Sequence, residues 1–282
     1  MANTAGIIES WQKYDITVTR EIPEEWSYQD GNNFGGIEGS DLVAQWRFEP
    51  GTGTFLNDSI GNNDLSIVTV GGQPDPVEDA DCIEGEGSCF FETIEDLSPC
   101  YLRRLDGDLD SDFPFKNGNS DLDFSWLFWV KFDSLDIEDD GPWILVQKGS
   151  SSPYRSALLD VNDTTCNIEM YLSTDGTVFD TLLSHASTLV TGRWYHIAFT
   201  YDVDSAGVAT YRIRIFDATA KAVVGTDVTG STIQTHVAQQ PFYAGGLATN
   251  GSLYGNIDDL QVWKRALTVE EIDQIRSGTF GT

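Results

Sequence analysis

The sequence predicts an all-β protein in which two antiparallel sheets pack as a sandwich, with one short helix near the C-terminus. Glycine supplies 27 of the 282 residues and, with scattered Asn and Asp, provides turns between many short strands. Residues 126–130, Trp-Leu-Phe-Trp-Val, are apolar on both faces and predict a central strand of a two-layer core. Residues 211–216 alternate, which predicts a strand with Tyr211, Ile213 and Ile215 on one face and a partly wet opposite face.

Residues 1–40 are predicted to form an N-terminal arm, and residues 41–282 the sandwich domain. The arm contains an alternating stretch that predicts a strand of its own. Its apolar side chains are too numerous for a free tail, so either the sandwich or a partner must cover them. We hypothesise a partner, with the stretch adding a strand to a neighbouring subunit in a homo-oligomer or capsid contact. The candidate partner-binding residues are Trp11, Ile16, Val18, Ile22 and Trp26.

The first sandwich strand is predicted near residue 42, and Gly51 to Asp64 is dense in turn-forming residues. Further along, residues 106–112 place four carboxylates at alternate positions, as the start of an EF-hand calcium loop does. The rest of that loop is missing, because position six is not glycine and position twelve is Asn117 rather than Glu. We therefore expect a solvated acidic turn at residues 106–112.

The end of the chain predicts a strand followed by a short helix. Leu260 and Val262 are expected to face the core, and Asp258 shares their face by alternation. The opposite face is expected to carry Ile257, Asp259, Gln261 and Trp263. Thr268 with Glu271 three residues later forms a capping box, which predicts a helix at residues 267–276.

The net charge of -29, from 45 acidic and 16 basic residues, opposes binding to nucleic acids and to anionic lipid. No apolar run approaches the length of a membrane span, and the first thirty residues show no signal peptide pattern. We therefore expect no nucleic-acid partner, no membrane insertion and a soluble chain. The chain could still act outside the cell in two ways: a signal peptide could have been removed from it, or it could be released as part of a virus particle by lysis.

The residues that usually carry catalysis or bind zinc show no known arrangement. Cys82, Cys89, Cys100 and Cys166 lack the spacing of a zinc site, and free thiols are favoured over a Cys82–Cys89 disulfide. The three histidines are scattered, and His196 lies in an apolar strand pattern that indicates a structural role. Glycosidases of this architecture need two carboxylates about 5 Å apart, usually at alternate positions of one strand, and no such strand is present. We therefore expect no enzyme activity.

Five segments, in this order, resemble the laminin G-like, concanavalin A-like jelly rolls. The last of them reads Gly-Asn-Ile-Asp-Asp, followed by Arg-Ala-Leu-Thr and a Glu-Glu-Ile helix. The resemblance implies a two-sheet jelly roll over about residues 41 to 278. The five segments are residues 42–53 with 57–65, 124–133, 144–149, 192–202 and 255–272.

The resemblance also implies a structural calcium ion, which in such sandwiches ties the first strand to the last through a carboxylate of the Asp-Asp strand. Asp258 and Asp259 match that position, and the candidate turn ligands are Asp58, Asn62 and Asp64. A hard cation suits such oxygen ligands. The alternative is that Asp259 caps a loop and that the turn is ordinary hairpin chemistry.

Members of this family are mostly extracellular recognition modules. We therefore expect a non-catalytic, lectin-like module on an outer surface, such as a virion (phage) decoration or fibre-type structural protein that binds glycans or a partner protein. Two alternatives remain open: a secreted bacterial carbohydrate-binding protein, and an atypical glycan-active hydrolase or lyase. The expected location is extracellular or on the virion surface.

Overall fold

The computed structural model describes residues 41–50, 55–72, 74–92, 99–117, 123–135, 143–149, 152–237, 239–247 and 252–278. Within these ranges the α-helix is α1 (Val269–Arg276), and a short 3-10 helix spans Asp106–Asp108. The strands are β1 (Leu42–Trp46), β2 (Ser66–Thr69), β3 (Val77–Asp79), β4 (Ser88–Phe91), β5 (Cys100–Arg104), β6 (Phe124–Phe132), β7 (Trp143–Lys148), β8 (Ala157–Val161), β9 (Ile168–Leu172), β10 (Thr181–His185), β11 (Trp194–Val203), β12 (Val208–Asp217), β13 (Ala222–Val223), β14 (Val228–Ile233), β15 (Phe242–Ala244) and β16 (Gly255–Trp263).

The strands of the described residues form two antiparallel sheets that pack as a sandwich. The nine-stranded sheet has the order β13-β12-β11-β6-β16-β4-β3, with β1 also paired to β16 and β14 to β12. The seven-stranded sheet has the order β10-β9-β8-β7-β15-β5-β2. Strands make up 44% of the structure, well above the ~20–25% typical of soluble proteins. The predicted two-sheet jelly roll is confirmed.

The main core lies between the two sheets and is built from the inward face of each. All nine residues of β6 are buried, as its apolar sequence predicts. Trp126 and Phe128 point into the main core, whereas Leu127 belongs to a second cluster on the other side of the sheet. In β12, Tyr211, Ile213 and Ile215 are buried and the residues between them are half-buried, which confirms the predicted alternation.

Strand β16 contains a β-bulge that the sequence pattern did not show. Between Asp258 and Gln261, β16 advances three residues while its partner β6 advances two, and Asp259 has a φ of 45°. The extra residue shifts the alternation, as a bulge does. Ile257 therefore packs in the main core with Leu260 and Val262, and the expectation that it lies on the opposite face was wrong.

The predicted capping box is present at the start of α1. The Thr268 side chain accepts a hydrogen bond from the Glu271 N–H, and the Glu271 carboxylate accepts one from the Thr268 N–H. The helix begins at Val269, two residues later than predicted. Leu267 precedes the cap and packs in one cluster with Ile272, in the positions of a hydrophobic staple.

The acidic segment 106–112 is not the solvated turn that we expected. Asp106 is 6% exposed and forms an ion pair of 2.7 Å with Lys148, whose side chain is fully buried. Asp110 accepts hydrogen bonds from the Asn62 N–H and the Asn63 side chain, and Asp112 pairs with Lys264. These contacts join the segment to β7, to the turn after β1 and to the end of β16, which no spacing rule within the segment could indicate.

His196 lies fully buried on β11 with its ring 5.0 Å from that of Trp129, and burial lowers its pKa to about 3. This environment is consistent with the expected structural role.

The four cysteines carry free thiols, with Cys89 and Cys100 buried. No helix within the described ranges is long and apolar enough to cross a bilayer. The arm residues Trp11, Ile16, Val18, Ile22 and Trp26 lie outside the described residues.

Candidate functional site

The seven-stranded sheet presents a face that points away from the main core, which we call the outer face. Along each of its strands the core residues alternate with residues of the outer face, as in β5, where Leu102 lies in the core and Tyr101 does not. Helix α1 packs on the other sheet. No strand or helix of the described part of the chain therefore crosses the outer face.

One row of side chains crosses the outer face from edge to edge. Its members are directly paired across neighbouring strands, so each points the same way as the next. At a strand spacing of about 4.8 Å the row is about 29 Å long. In order, the row is Ser66, Arg103, Tyr243, Gln147, Leu158, Tyr171 and Leu182.

A second row lies beside the first on β7 to β10. It consists of Ile144, Asp160, Glu169 and Ser184, again as direct cross-strand pairs. On the other half of the sheet, Tyr101 pairs with Val68. The half-buried or exposed members of the two rows are Ser66, Arg103, Tyr171, Leu182 and Ser184, and the other members are buried.

Aromatic rings lie at both ends of the outer face. Tyr101 and Tyr243 pack edge to face with their ring centroids 5.7 Å apart. Tyr171 lies 5.9 Å from Phe179, and the Arg155 guanidinium stands 5.3 Å above the Phe179 ring. Such rings offer flat apolar surfaces, and the tyrosines also carry a hydroxyl group.

Several buried polar atoms on the outer face have no hydrogen-bond partner among the described residues. They include the Gln147 Oε1 and Asp160 Oδ1 acceptors, on side chains that are 1% and 2% exposed. The Nε donors of Arg103 and Arg155 are unpaired as well. An unpaired buried donor or acceptor costs about 1–3 kcal/mol, and these atoms are enclosed within the protein.

Asp160 and Glu169 form a carboxylate pair at the centre of the second row. They lie directly opposite each other on β8 and β9, where Cβ atoms are about 5 Å apart. Glu169 Oε2 accepts hydrogen bonds from the Tyr171 hydroxyl (2.6 Å) and the Asn162 side chain (3.0 Å). Burial, with added repulsion from Glu169 and Asp163, raises the pKa of Asp160 to about 8. Asp160 therefore keeps its proton to higher pH than an ordinary carboxylate does, and Glu169 Oε2 is held by two hydrogen-bond donors.

The sequence did not reveal this pair, because its two members lie on different strands. We expected a carboxylate pair only at alternate positions of one strand. Asp160 and Glu169 are nine positions apart and meet only through the β8–β9 register. A usable signal was present in both segments, since each strand carries one acidic residue among apolar ones.

The predicted calcium ligand Asp58 is already saturated with hydrogen bonds. Its Oδ1 accepts from the main-chain N–H groups of Gln45 and Ile60, and its Oδ2 accepts from the main chain and side chain of Asn63. Asp64 accepts from the Asp58 N–H, and Asn62 is exposed. These contacts hold the turn after β1, so Asp58 does not fit a metal ligand.

Asp258 and Asp259 have acceptor capacity left for a cation. Asp258 is fully buried and its Oδ2 accepts from the N–H groups of Ile83 and Glu84, while its Oδ1 has no partner among the described residues. Burial raises the pKa of Asp258 to about 7. Each Asp259 oxygen accepts from one glutamine, Gln45 at 2.6 Å or Gln261 at 2.6 Å.

The five predicted metal residues do not converge on one point. Gln45 contacts both Asp58 and Asp259, whereas Asp258 binds the segment at residues 83–84. Within the described residues, no group of three or more His, Cys, Asp or Glu side chains is arranged to hold a metal ion. A calcium site at Asp258 and Asp259 would need amide, main-chain or water oxygens as well, which calcium accepts.

Comparison with known proteins identifies the same architecture. A family model described as "Concanavalin A-like lectin/glucanases superfamily" matches residues 107–273. Domain 4 of an extracellular arabinanase from Geobacillus stearothermophilus, solved in complex with arabinotriose, superposes with a TM-score of 0.54 at 16% identity, covering 83% of this chain and 98% of that domain.

The botulinum neurotoxin type G receptor binding domain superposes with a TM-score of 0.52 at 12% identity, and the alignment covers 84% of this chain and 51% of that domain. At these identities the two likenesses concern the fold. No curated protein sequence matches the chain.

Proposed function

The chain belongs to the concanavalin A-like lectin/glucanase superfamily, and from that premise we propose that it is a non-catalytic recognition protein that binds a glycan on its outer face. The observation that carries this proposal is the composition of the outer face, where the half-buried Tyr171 and Phe179 rings lie beside the Arg155 guanidinium group. Arg103 and Arg155 are half-buried as well, so their guanidinium groups offer hydrogen-bond donors to a ligand. Sugar hydroxyl groups both donate and accept hydrogen bonds, and sugar rings have C–H faces that pack on tyrosine.

The solved structures support a ligand of this class. The arabinanase domain is described in complex with arabinotriose, and almost all of that domain aligns with this chain. The neurotoxin domain is a receptor binding domain. Because both likenesses concern the fold, the residues of the outer face remain the main argument for glycan binding.

We place the protein on an extracellular or virion surface as part of this proposal. The domain is a small recognition unit, and the predicted arm would attach it to a particle or to a second copy. The genes that flank the gene for this chain discriminate the alternatives. Capsid or tail genes would support the virion location, whereas genes for polysaccharide use would support a secreted carbohydrate-binding protein.

Replacing Tyr171 by alanine should weaken glycan binding about tenfold, because an aromatic contact of ~1.5 kcal/mol is lost. The measurement is a glycan array followed by calorimetry on the best ligand. Tyr171→Phe keeps the ring and should retain most of the affinity. The matched control is Phe216→Ala, since Phe216 is also half-buried but lies on the other sheet. Unchanged binding by Tyr171→Ala, or equal loss in both alanine variants, would contradict the proposal.

A second candidate function is glycan cleavage, favoured specifically by the Asp160–Glu169 pair. Two adjacent carboxyl groups, one of them with a raised pKa as in Asp160, are the groups that glycosidases use as acid and as base or nucleophile. The incubations used for binding decide between the two functions. New reducing ends with the wild type that vanish with Glu169→Gln would establish hydrolysis and overturn the non-catalytic proposal.

We also propose that calcium binds at Asp258 and Asp259 and stabilises the fold. A cation that binds only the folded state raises the melting temperature by mass action. Calcium should therefore raise the midpoint of the wild type, and magnesium should do so less, because magnesium demands a stricter geometry. Asp258→Asn should abolish the calcium response, whereas Asp64→Asn should keep it. A wild-type midpoint that ignores both calcium and chelator would refute the site.

A further inference from the structure

The outer face carries two arginines that no carboxylate of the described residues neutralises. The chain has 45 acidic and 16 basic residues, so a basic side chain has many carboxylates available as partners. Among the described residues, ion pairs hold Arg47, Arg193, Arg212, Arg214, Arg265 and Arg276. Arg103, Arg104 and Arg155 form no ion pair with a described carboxylate. The Arg104 guanidinium donates to main-chain carbonyl groups, whereas Arg103 and Arg155 each keep a buried Nε without a hydrogen-bond partner.

The two arginines belong to opposite ends of the same surface. Arg103 stands in the first row, directly paired with Tyr243. Arg155 covers the Phe179 ring and donates one hydrogen bond to the Thr177 carbonyl group at 2.9 Å. Arg103 and Tyr171 are four strands apart along the row, which corresponds to about 19 Å. An extended ligand would be needed to reach both ends.

We propose that the outer face selects glycans that carry carboxylate groups, such as polymers of uronic acids, and that Arg103 and Arg155 bind those carboxylates. This inference rests on the glycan-binding function proposed above and names the class of its ligand. A guanidinium group presents N–H donors in a planar fork that matches the two oxygens of a carboxylate. A neutral glycan would leave both guanidinium groups without a counter-charge.

The carboxylates on the same face do not neutralise this preference. Glu169 is engaged by the Tyr171 hydroxyl and by Asn162. Asp160 lies opposite Ile144 on β7 and Glu169 on β9, and burial, with the charges of Glu169 and Asp163, raises its pKa to about 8. The raised pKa lowers the negative charge that Asp160 carries near neutral pH, so Asp160 repels an anionic ligand less than an ordinary carboxylate does.

The test compares each uronic-acid glycan with its own methyl ester, which removes the charge and keeps the sugar. Polygalacturonate and hyaluronan, each with its ester, are suitable pairs. We expect the wild type to bind the acid form at least tenfold more tightly, with a preference that falls as salt is added. Arg103→Gln and Arg155→Gln should each reduce that preference for the acid form. Arg103→Lys should keep a larger part of the preference than Arg103→Gln does. Arg193→Gln, which removes an arginine paired with Asp217 on the other sheet, should change nothing.

The outcomes separate this inference from the function on which it rests. Equal binding of acid and ester, or tighter binding of neutral glycans on the array, would overturn the selectivity for carboxylates and leave glycan binding intact. A preference for the acid form that survives in a folded Arg103→Gln/Arg155→Gln double variant would overturn the role of the two arginines. Failure of every charged and neutral glycan to bind would overturn both the inference and the proposed function.

Discussion

Replacing Asp106 by alanine should destabilise the protein by about 3–5 kcal/mol, because it removes the carboxylate that forms an ion pair with the buried Lys148 ammonium group. Lys148 Nζ donates to Asp106 Oδ1 at 2.7 Å and to the Gln240 carbonyl group, and its side chain is fully buried. Burial lowers the pKa of Lys148, and the ion pair with Asp106 opposes that shift. Chemical denaturation with two spectroscopic probes would give the change in free energy of unfolding.

Two controls separate the loss of the charge pair from the loss of packing. Asp112→Ala removes a partner from the more exposed Lys264–Asp112 pair and should cost less than about 1 kcal/mol. Asp106→Leu combined with Lys148→Met replaces the buried pair by apolar groups and should recover much of the stability. An Asp106→Ala variant no less stable than Asp112→Ala would show that Lys148 is not held as described.

Asp160→Asn should stabilise the protein increasingly as the pH rises from about 4 to about 8. The pKa of Asp160 is raised from 3.8 to about 8 in the folded state, mainly by burial. The folded protein therefore binds this proton more tightly than the unfolded chain, so its stability falls with rising pH in that window. For one proton, the free energy of unfolding falls by about 1.4 kcal/mol per pH unit. Asparagine does not titrate, so the Asp160→Asn variant does not lose this stability.

The measurement is the difference in unfolding free energy between Asp160→Asn and the wild type across pH 4 to 9. The difference cancels the contributions of other carboxylates, Asp258 included. The control is Asp163→Asn, an exposed neighbour whose removal should leave most of the pH dependence in place. A difference that stays flat with pH would show that Asp160 titrates like a solvated carboxylate.

Local patterns in the sequence were sufficient for the architecture. The apolar run of β6 and the alternation of β12 each report one property, which is the face that a strand buries. Thr268 and Glu271 form a capping box because the spacing of three residues alone brings each side chain to the other's main chain. Each of these features depends on residues within a few positions of one another, so it can be predicted from the sequence.

Features that depend on an extra residue or on a distant partner could not be predicted in the same way. The bulge at Asp259 places Ile257 in the core. A pattern in which every second residue shares a face cannot indicate where one extra residue is inserted. Asp106 resembled a surface residue in an acidic run, yet its partner Lys148 lies 42 positions away on β7. The candidate ligand Asp58 was correctly placed in a turn, but only the folded structure shows that four N–H groups saturate it.

The sequence alone thus determined the sandwich, its terminal helix and the strongly negative charge, since each follows from composition or from short-range periodicity. The tertiary structure decided which side chains share the outer face. Arg103, Gln147, Asp160 and Tyr171 belong to four strands, and no local pattern relates them. They share one surface because strand order and register set cross-strand neighbours independently of distance along the chain.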